Sequence, residues 1–76
     1  MVTDKVWQDF ARNLLKSEMK RRGLSYKDLA ERLTAAGTPD TPENLMNKVS
    51  RGGFSAAFLF QCLNAIGCKN ISISPE

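Results

Sequence analysis

Glycine stops decide what this chain can become. Gly23, the pair Gly52-Gly53 and Gly67 each follow a stretch whose apolar residues recur at three- and four-residue steps, and residues 37–42 form a further break. Cut this way, the 76 residues hold four short segments, and each reads as a helix.

The first segment covers about residues 4–22. Val6, Trp7, Phe10, Ala11, Leu14, Leu15 and Met19 form one broad apolar stripe, and the basic run Lys20-Arg21-Arg22 suits the negative end of a helix dipole before Gly23 stops it. The second opens on a capping box, Ser25 with Asp28, and Leu24 is placed to staple onto Leu29. Tyr26, Leu29, Ala30 and Leu33 then share one face, and Gly37 supplies a left-handed stop. The third starts at Thr41 with Pro42 in the first helical position, runs to about Arg51, and has Leu45, Met46 and Val49 as its apolar side. The fourth runs from Ser55 as N-cap to about Ile66. The fold class expected is all-α: one domain over residues 1–76, with its core in residues 4–67 and a tail over residues 68–76.

The fourth segment is apolar nearly all round, since Phe58, Leu59 and Phe60 are consecutive and span about 200° of a helix. A small core takes Phe58, Leu59, Leu63 and Ile66. Phe60 either closes the bundle against Trp7 or forms a contact between two copies of the chain. The tail sequence Asn70-Ile71-Ser72-Ile73-Ser74 alternates strictly, as a short strand or an extended end would; as a strand, Ile71 and Ile73 would join Phe60 in a homodimer surface.

Histidine is absent, and Cys62 and Cys68 are the two cysteines. Catalysis by Ser-His-Asp or Cys-His groups and every mixed Cys/His zinc site are thereby excluded, and two cysteines are too few for an all-cysteine zinc site. There is no Gly-rich phosphate loop, and Asp28 and Glu31 already have capping or surface-pair roles, so neither enzyme nor cofactor nor metal centre is expected. A Cys62–Cys68 bridge would close a very small loop, and two free thiols suit a reducing compartment. Residues 1–5 lack the apolar stretch of a signal peptide, and no run approaches the roughly 20 apolar residues that span a bilayer. The expectation is a cytoplasmic protein without a membrane partner.

Eleven Lys+Arg against eight Asp+Glu leave a formal charge of +3, so the placement of the charges matters more than their sum. Asn44, Asn47, Lys48 and Arg51 fall at i, i+3, i+4 and i+7, away from Leu45, Met46 and Val49. Asparagine can bond an adenine edge bidentately, and Arg or Lys can bond guanine or phosphate. Two asparagines are poor choices for a short helix if solubility is their only purpose, although a solvated face is the alternative. Glu43 could accept from a cytosine amino group, but its charge opposes phosphate. On the first segment Arg12, Lys16 and Lys20 stack as like charges along one ridge, each pair costing an isolated helix about 0.2–0.5 kcal/mol. Asp9 can offset Arg12, and Glu18 can offset Arg21 or Arg22, but nothing on the ridge offsets Lys16 and Lys20. Helix starts at Ser25 and Ser55 offer free amides, with Tyr26 and Lys27 beside the first. Base contact is expected from Asn44, Asn47, Lys48 and Arg51, and backbone contact from Lys16, Lys20, Arg22, Ser25, Tyr26, Lys27 and Ser55.

Two short helices with a polar connection and a following Arg-Gly turn suggest a helix-turn-helix. The residues Arg21-Arg22-Gly23-Leu24-Ser25, Leu29-Ala30-Glu31-Arg32-Leu33, Val49-Ser50-Arg51-Gly52 and Leu63-Asn64-Ala65-Ile66-Gly67 resemble the phage-repressor-like (xenobiotic-response-element type) DNA-binding domains over about residues 12–67. The stretch Asn44-Leu45-Met46-Asn47-Lys48-Val49-Ser50-Arg51-Gly52-Gly53-Phe54-Ser55-Ala56-Ala57-Phe58 also looks like a family of short bacterial proteins of unassigned function. The resemblance implies a compact bundle of four or five helices, with the third presented to the major groove and regulation of transcription as the outcome. This chain departs from the repressor pattern in three places. Its turn before the third helix is about six residues longer, within residues 34–40; Tyr26 stands where relatives often have Gln; and Ser50 stands where Glu often precedes Arg-Gly. The rival readings are a protein-interaction module docking through Phe58–Phe60 or the basic ridge, and an RNA binder, for which Trp7, Tyr26 and four Phe leave few free stacking platforms.

Overall fold

A computed structural model describes residues 3–73. Met1, Val2 and residues 74–76, which include the last serine of the alternating tail, lie outside the described residues. Four helices follow one another: α1 (Asp4–Arg21), α2 (Tyr26–Ala35), α3 (Pro42–Arg51) and α4 (Ala56–Ala65). Among the described residues there is neither a fifth helix nor a strand.

Every helix begins on a hydroxyl. Thr3, Ser25, Thr41 and Ser55 each accept a hydrogen bond from the amide three residues on. Such a cap satisfies one of the four orphan amides of a first turn and is worth about 1 kcal/mol. The box at α2 is complete: the Asp28 amide donates to Ser25 Oγ (3.2 Å), and the Ser25 amide donates back to the Asp28 carboxylate (2.9 Å). Its reciprocal bonds hold the Asp28 carboxyl below its ordinary range. Each connection then reverses at a glycine with positive φ, of which Gly52 (73°) alone is packed against another helix.

The core is one cluster built from all four helices. Leu15 and Met19 come from α1, Leu29, Ala30 and Leu33 from α2, Leu45 and Val49 from α3, and Phe58, Cys62 and Leu63 from α4; Ile66 follows as the C-cap of α4. Each fully buried Leu contributes about 1.5–3 kcal/mol relative to exposure. α2 packs on both α3 and α4, while α1 lies against α3 and α4. Two arginines tie the far ends together: Arg12 donates to the Ser50 carbonyl at the end of α3 (3.3 Å), and Arg32 to the Ala65 carbonyl at the end of α4 (3.4 Å).

One expectation changes and two open ones narrow. Met46 is 47% exposed, so it is not part of the buried side of α3. Leu45 and Val49 lie about 40° apart around the helix, and Met46 sits about 100° from Leu45 on the outer flank. Phe60 is 59% exposed and does not close the bundle. Trp7 stacks edge-on to Phe10 (5.9 Å) rather than on Phe60. The tail is irregular as far as it is described: Ile71 packs partly against the chain's own core, and Ile73 is exposed.

Candidate nucleic-acid interface

The outer face of α3 is held in place from beneath by Leu45 and Val49, both fully buried. At 3.6 residues per turn Asn47 points opposite to these anchors, with Arg51 and Asn44 about 40° and 60° round from it on the side of Lys48. All three are exposed. The Arg51 Nε donates to the Asn47 carbonyl (3.3 Å), which steadies the guanidinium along the helix and leaves its outer nitrogens for another acceptor. Glu43 is exposed beside them.

Lys48 differs from these three. It lies at the flank of α3, where its ammonium donates to the Asp40 carboxylate (2.7 Å) and stands over the Phe58 ring (5.1 Å from the centroid). Phe58 in turn leans on Phe54, with centroids 5.2 Å apart. Asp40 belongs to the long connection between α2 and α3. Its other oxygen accepts from the Thr41 amide (2.8 Å). The bond from Lys48 is the main cause that holds the Asp40 carboxyl below its ordinary range, with Thr41 and the Asn44 side chain adding to it. The connection is further pinned by the Thr38 amide, which donates to the Leu33 carbonyl (2.9 Å). Lys48 is thus an engaged cation in the free protein, the exposed Asn44 side chain leans on the same acid, and Asn47 and Arg51 form the open part of the expected base-contact set.

On α1 the expected ridge divides. Arg12 is taken up by Asp9 (3.0 Å) and by the end of α3. Glu18 collects Arg21 (2.6 Å) and Arg22, and these two bonds hold its carboxyl below the ordinary range, the Arg22 hydrogen bond most strongly. Arg22 is therefore a structural cation as placed. Lys16 and Lys20 have no ion pair among the described residues. Together with Met19, Gly23, Leu24, Ser25 and Tyr26 they line a groove of about 500 Å³ at the start of α2. Tyr26 is half-buried in it, and desolvation raises its hydroxyl pKa. Lys27 is exposed on the following residue. The Ser25 and Ser55 hydroxyls are occupied as helix caps and the Ser25 amide is held by Asp28, so what these helix starts offer is the following amides of their first turns rather than the serine side chains.

Asp40 and Phe58 as neighbours of Lys48, and the carbonyl roles of Arg12 and Arg32, were not foreseen. Asp40 and Lys48 are eight residues apart with a turn between them, a separation to which no local spacing rule applies. Gly52 is buried against α1, facing the Gln8 carbonyl, and serves packing and chain reversal.

Among the described residues no group of His, Cys, Asp and Glu could hold a metal ion, and no helix is long and apolar enough to cross a membrane. Both cysteines are free thiols. Residues 7–71 match the profile of a family described as a domain of unknown function. No curated protein and no solved structure matches the chain.

Proposed function

This chain belongs to the DUF6471 family, and we propose that it is a helix-turn-helix DNA-binding protein that reads duplex DNA through α3 and regulates transcription. The observation that carries the reading is the outer face of α3, where Asn44, Asn47 and Arg51 are exposed together above a fully buried Leu45/Val49 anchor. Two amides and a guanidinium on one rigid helical face are the donor and acceptor set that base edges require. Lys48 flanks them. The uncompensated Lys16 and Lys20, with Lys27, the Tyr26 hydroxyl and the α2 amides behind Ser25, supply backbone contacts. Arg22 contributes only if it leaves Glu18, and Ser55 only through the amides of α4.

Selection from a randomised duplex pool tests the reading. A recovered consensus, relaxed at one position by Asn47→Ala at a cost of about 1–3 kcal/mol, supports it. Recovery of no consensus, or an Asn47→Ala variant with the wild-type preference, contradicts base reading by α3.

A second reading rests on the exposed apolar side of α4. Phe60 stands out of a helix that carries no charged residue, at a cleft it lines with Leu63 and Ile71, and this side suits contact with a protein, including another copy of the chain. Sedimentation of the wild type and Phe60→Glu over a range of concentrations checks it. A monomer at every concentration contradicts self-association.

A further inference from the structure

We infer that Asp40 is a positioning residue that keeps Lys48 off the duplex until a backbone phosphate displaces it, so that the long turn before α3 tunes affinity. The inference rests on the proposed DNA-binding reading and concerns the control of that same face. Four observations converge on it. The ammonium of Lys48 lies 2.7 Å from Asp40 and 5.1 Å from the centre of the Phe58 ring, so it has both a counter-ion and a platform within its own fold. The Asp40 side chain is only 13% exposed, whereas that of Lys48 is 44% exposed. The acid is therefore fixed in the turn and the base can swing. Asp40 itself is anchored through its second oxygen to the Thr41 amide, the first residue of the α3 cap. Lys48 also lines, with Arg51, Gly53 and Phe54, a cleft of about 190 Å³ at the end of α3, where a second cation already stands.

A carboxylate and a phosphate oxygen compete for the single charge of the ammonium, and a side chain held 2.7 Å from the turn must leave it to reach a phosphate outside. In the free protein the turn carboxylate wins because it is adjacent and fixed. A phosphate approaching the cleft beside Arg51 offers Lys48 an exchange of one anion for another. The contact then returns less than a free lysine would give, and the counter-ions released on binding are fewer by about one. This use of Asp40 gives the lengthened turn a consequence for binding.

The experiment is a double-mutant cycle on the full chain with Asp40→Asn, Lys48→Gln and the pair, read as affinity for one duplex across a salt series. Asparagine keeps the oxygen that caps Thr41, and circular dichroism melts of all four proteins establish that each is folded. Asp40→Asn should raise affinity about two- to fivefold and steepen the salt slope by up to about one. In the Lys48→Gln background the same substitution should have almost no effect. A gain of equal size in both backgrounds means that Asp40 merely repels DNA, and it overturns the inference while leaving the DNA-binding reading intact; no gain in either does the same. A wild type that binds no duplex at low salt overturns the reading itself. A readout without DNA separates these further: acetylation of Lys48, followed by mass spectrometry, should be faster in Asp40→Asn than in the wild type, with Lys16 unchanged. Equal rates at Lys48 would show that Asp40 does not hold it.

Discussion

Gly52 closes α3 directly against the backbone of α1: a β-carbon at its position would lie 3.4 Å from the carbonyl oxygen of Gln8. Its φ of 73° is left-handed, so a side chain there meets backbone strain and touches the α1 backbone with little room to shift. Arg12, one turn further along α1, bonds the Ser50 carbonyl just before it. The junction of α1 and α3 thus sets the angle at which the outer face of α3 is offered.

Gly52→Ala should therefore destabilise the fold by about 1–2 kcal/mol. Gly37→Ala, also at positive φ but with open space around it, should cost less. Chemical denaturation of the two variants checks the order, and an equal loss would mean that the contact with Gln8 adds nothing.

Leu45→Ala should cost about 2–5 kcal/mol, a large share of the stability of a domain this small. Met46→Ala, next in sequence but on the outer flank, should stay within about 0.5 kcal/mol. Thermal melts distinguish them, and a strong effect of Met46→Ala would place that side chain in the core.

Acid should weaken the fold through Glu18, Asp28 and Asp40. All three carboxyls are held below their ordinary values, 4.5 for Glu and 3.8 for Asp, by bonds from Arg22, Ser25 and Lys48 respectively. A lowered folded-state value means that the unfolded chain binds protons first. The stabilisation is complete above the ordinary values and is lost as pH falls through the lowered ones. Melting temperature should hold from neutral pH to about pH 5 and fall steadily below about pH 4. A melting temperature that does not change down to about pH 2 would contradict these pairings.

The two thiols should react differently. Burial pushes the Cys62 thiol up to about 12, with no compensating hydrogen bond among the described residues, whereas Cys68 is only half-buried. The thiolate is the reactive form. Iodoacetamide at pH 8 should label Cys68 in the folded protein and Cys62 only in denaturant. Rapid double labelling of the native protein would contradict the burial of α4.

Helix limits were legible in the sequence because caps and stops are local. Ser25 with Asp28, Thr41 with Pro42, and the glycines after each segment act within a few residues of where they stand. The core was legible where the period left one answer, as at Leu29, Ala30 and Leu33. It was misread at Met46, which is apolar but lies past the edge of the buried arc, and left open at Phe60, which is apolar in a helix with more apolar faces than neighbours to cover them. Of the candidate site, Asn44, Asn47 and Arg51 could be read from spacing alone. The engagement of Lys48 could not, because Asp40 comes from a turn and Phe58 from α4, and only tertiary packing brings them together.

Fluorescence anisotropy of the full chain with a mixed-sequence duplex, at about 50 and 200 mM salt, tests the central claim most directly. Several phosphate contacts from Lys16, Lys20, Lys27 and Arg51 predict binding at the lower salt and a loss of about tenfold or more at the higher. Lys16→Ala should weaken every sequence alike. No binding at the lower salt, or an affinity indifferent to salt, would contradict the claim.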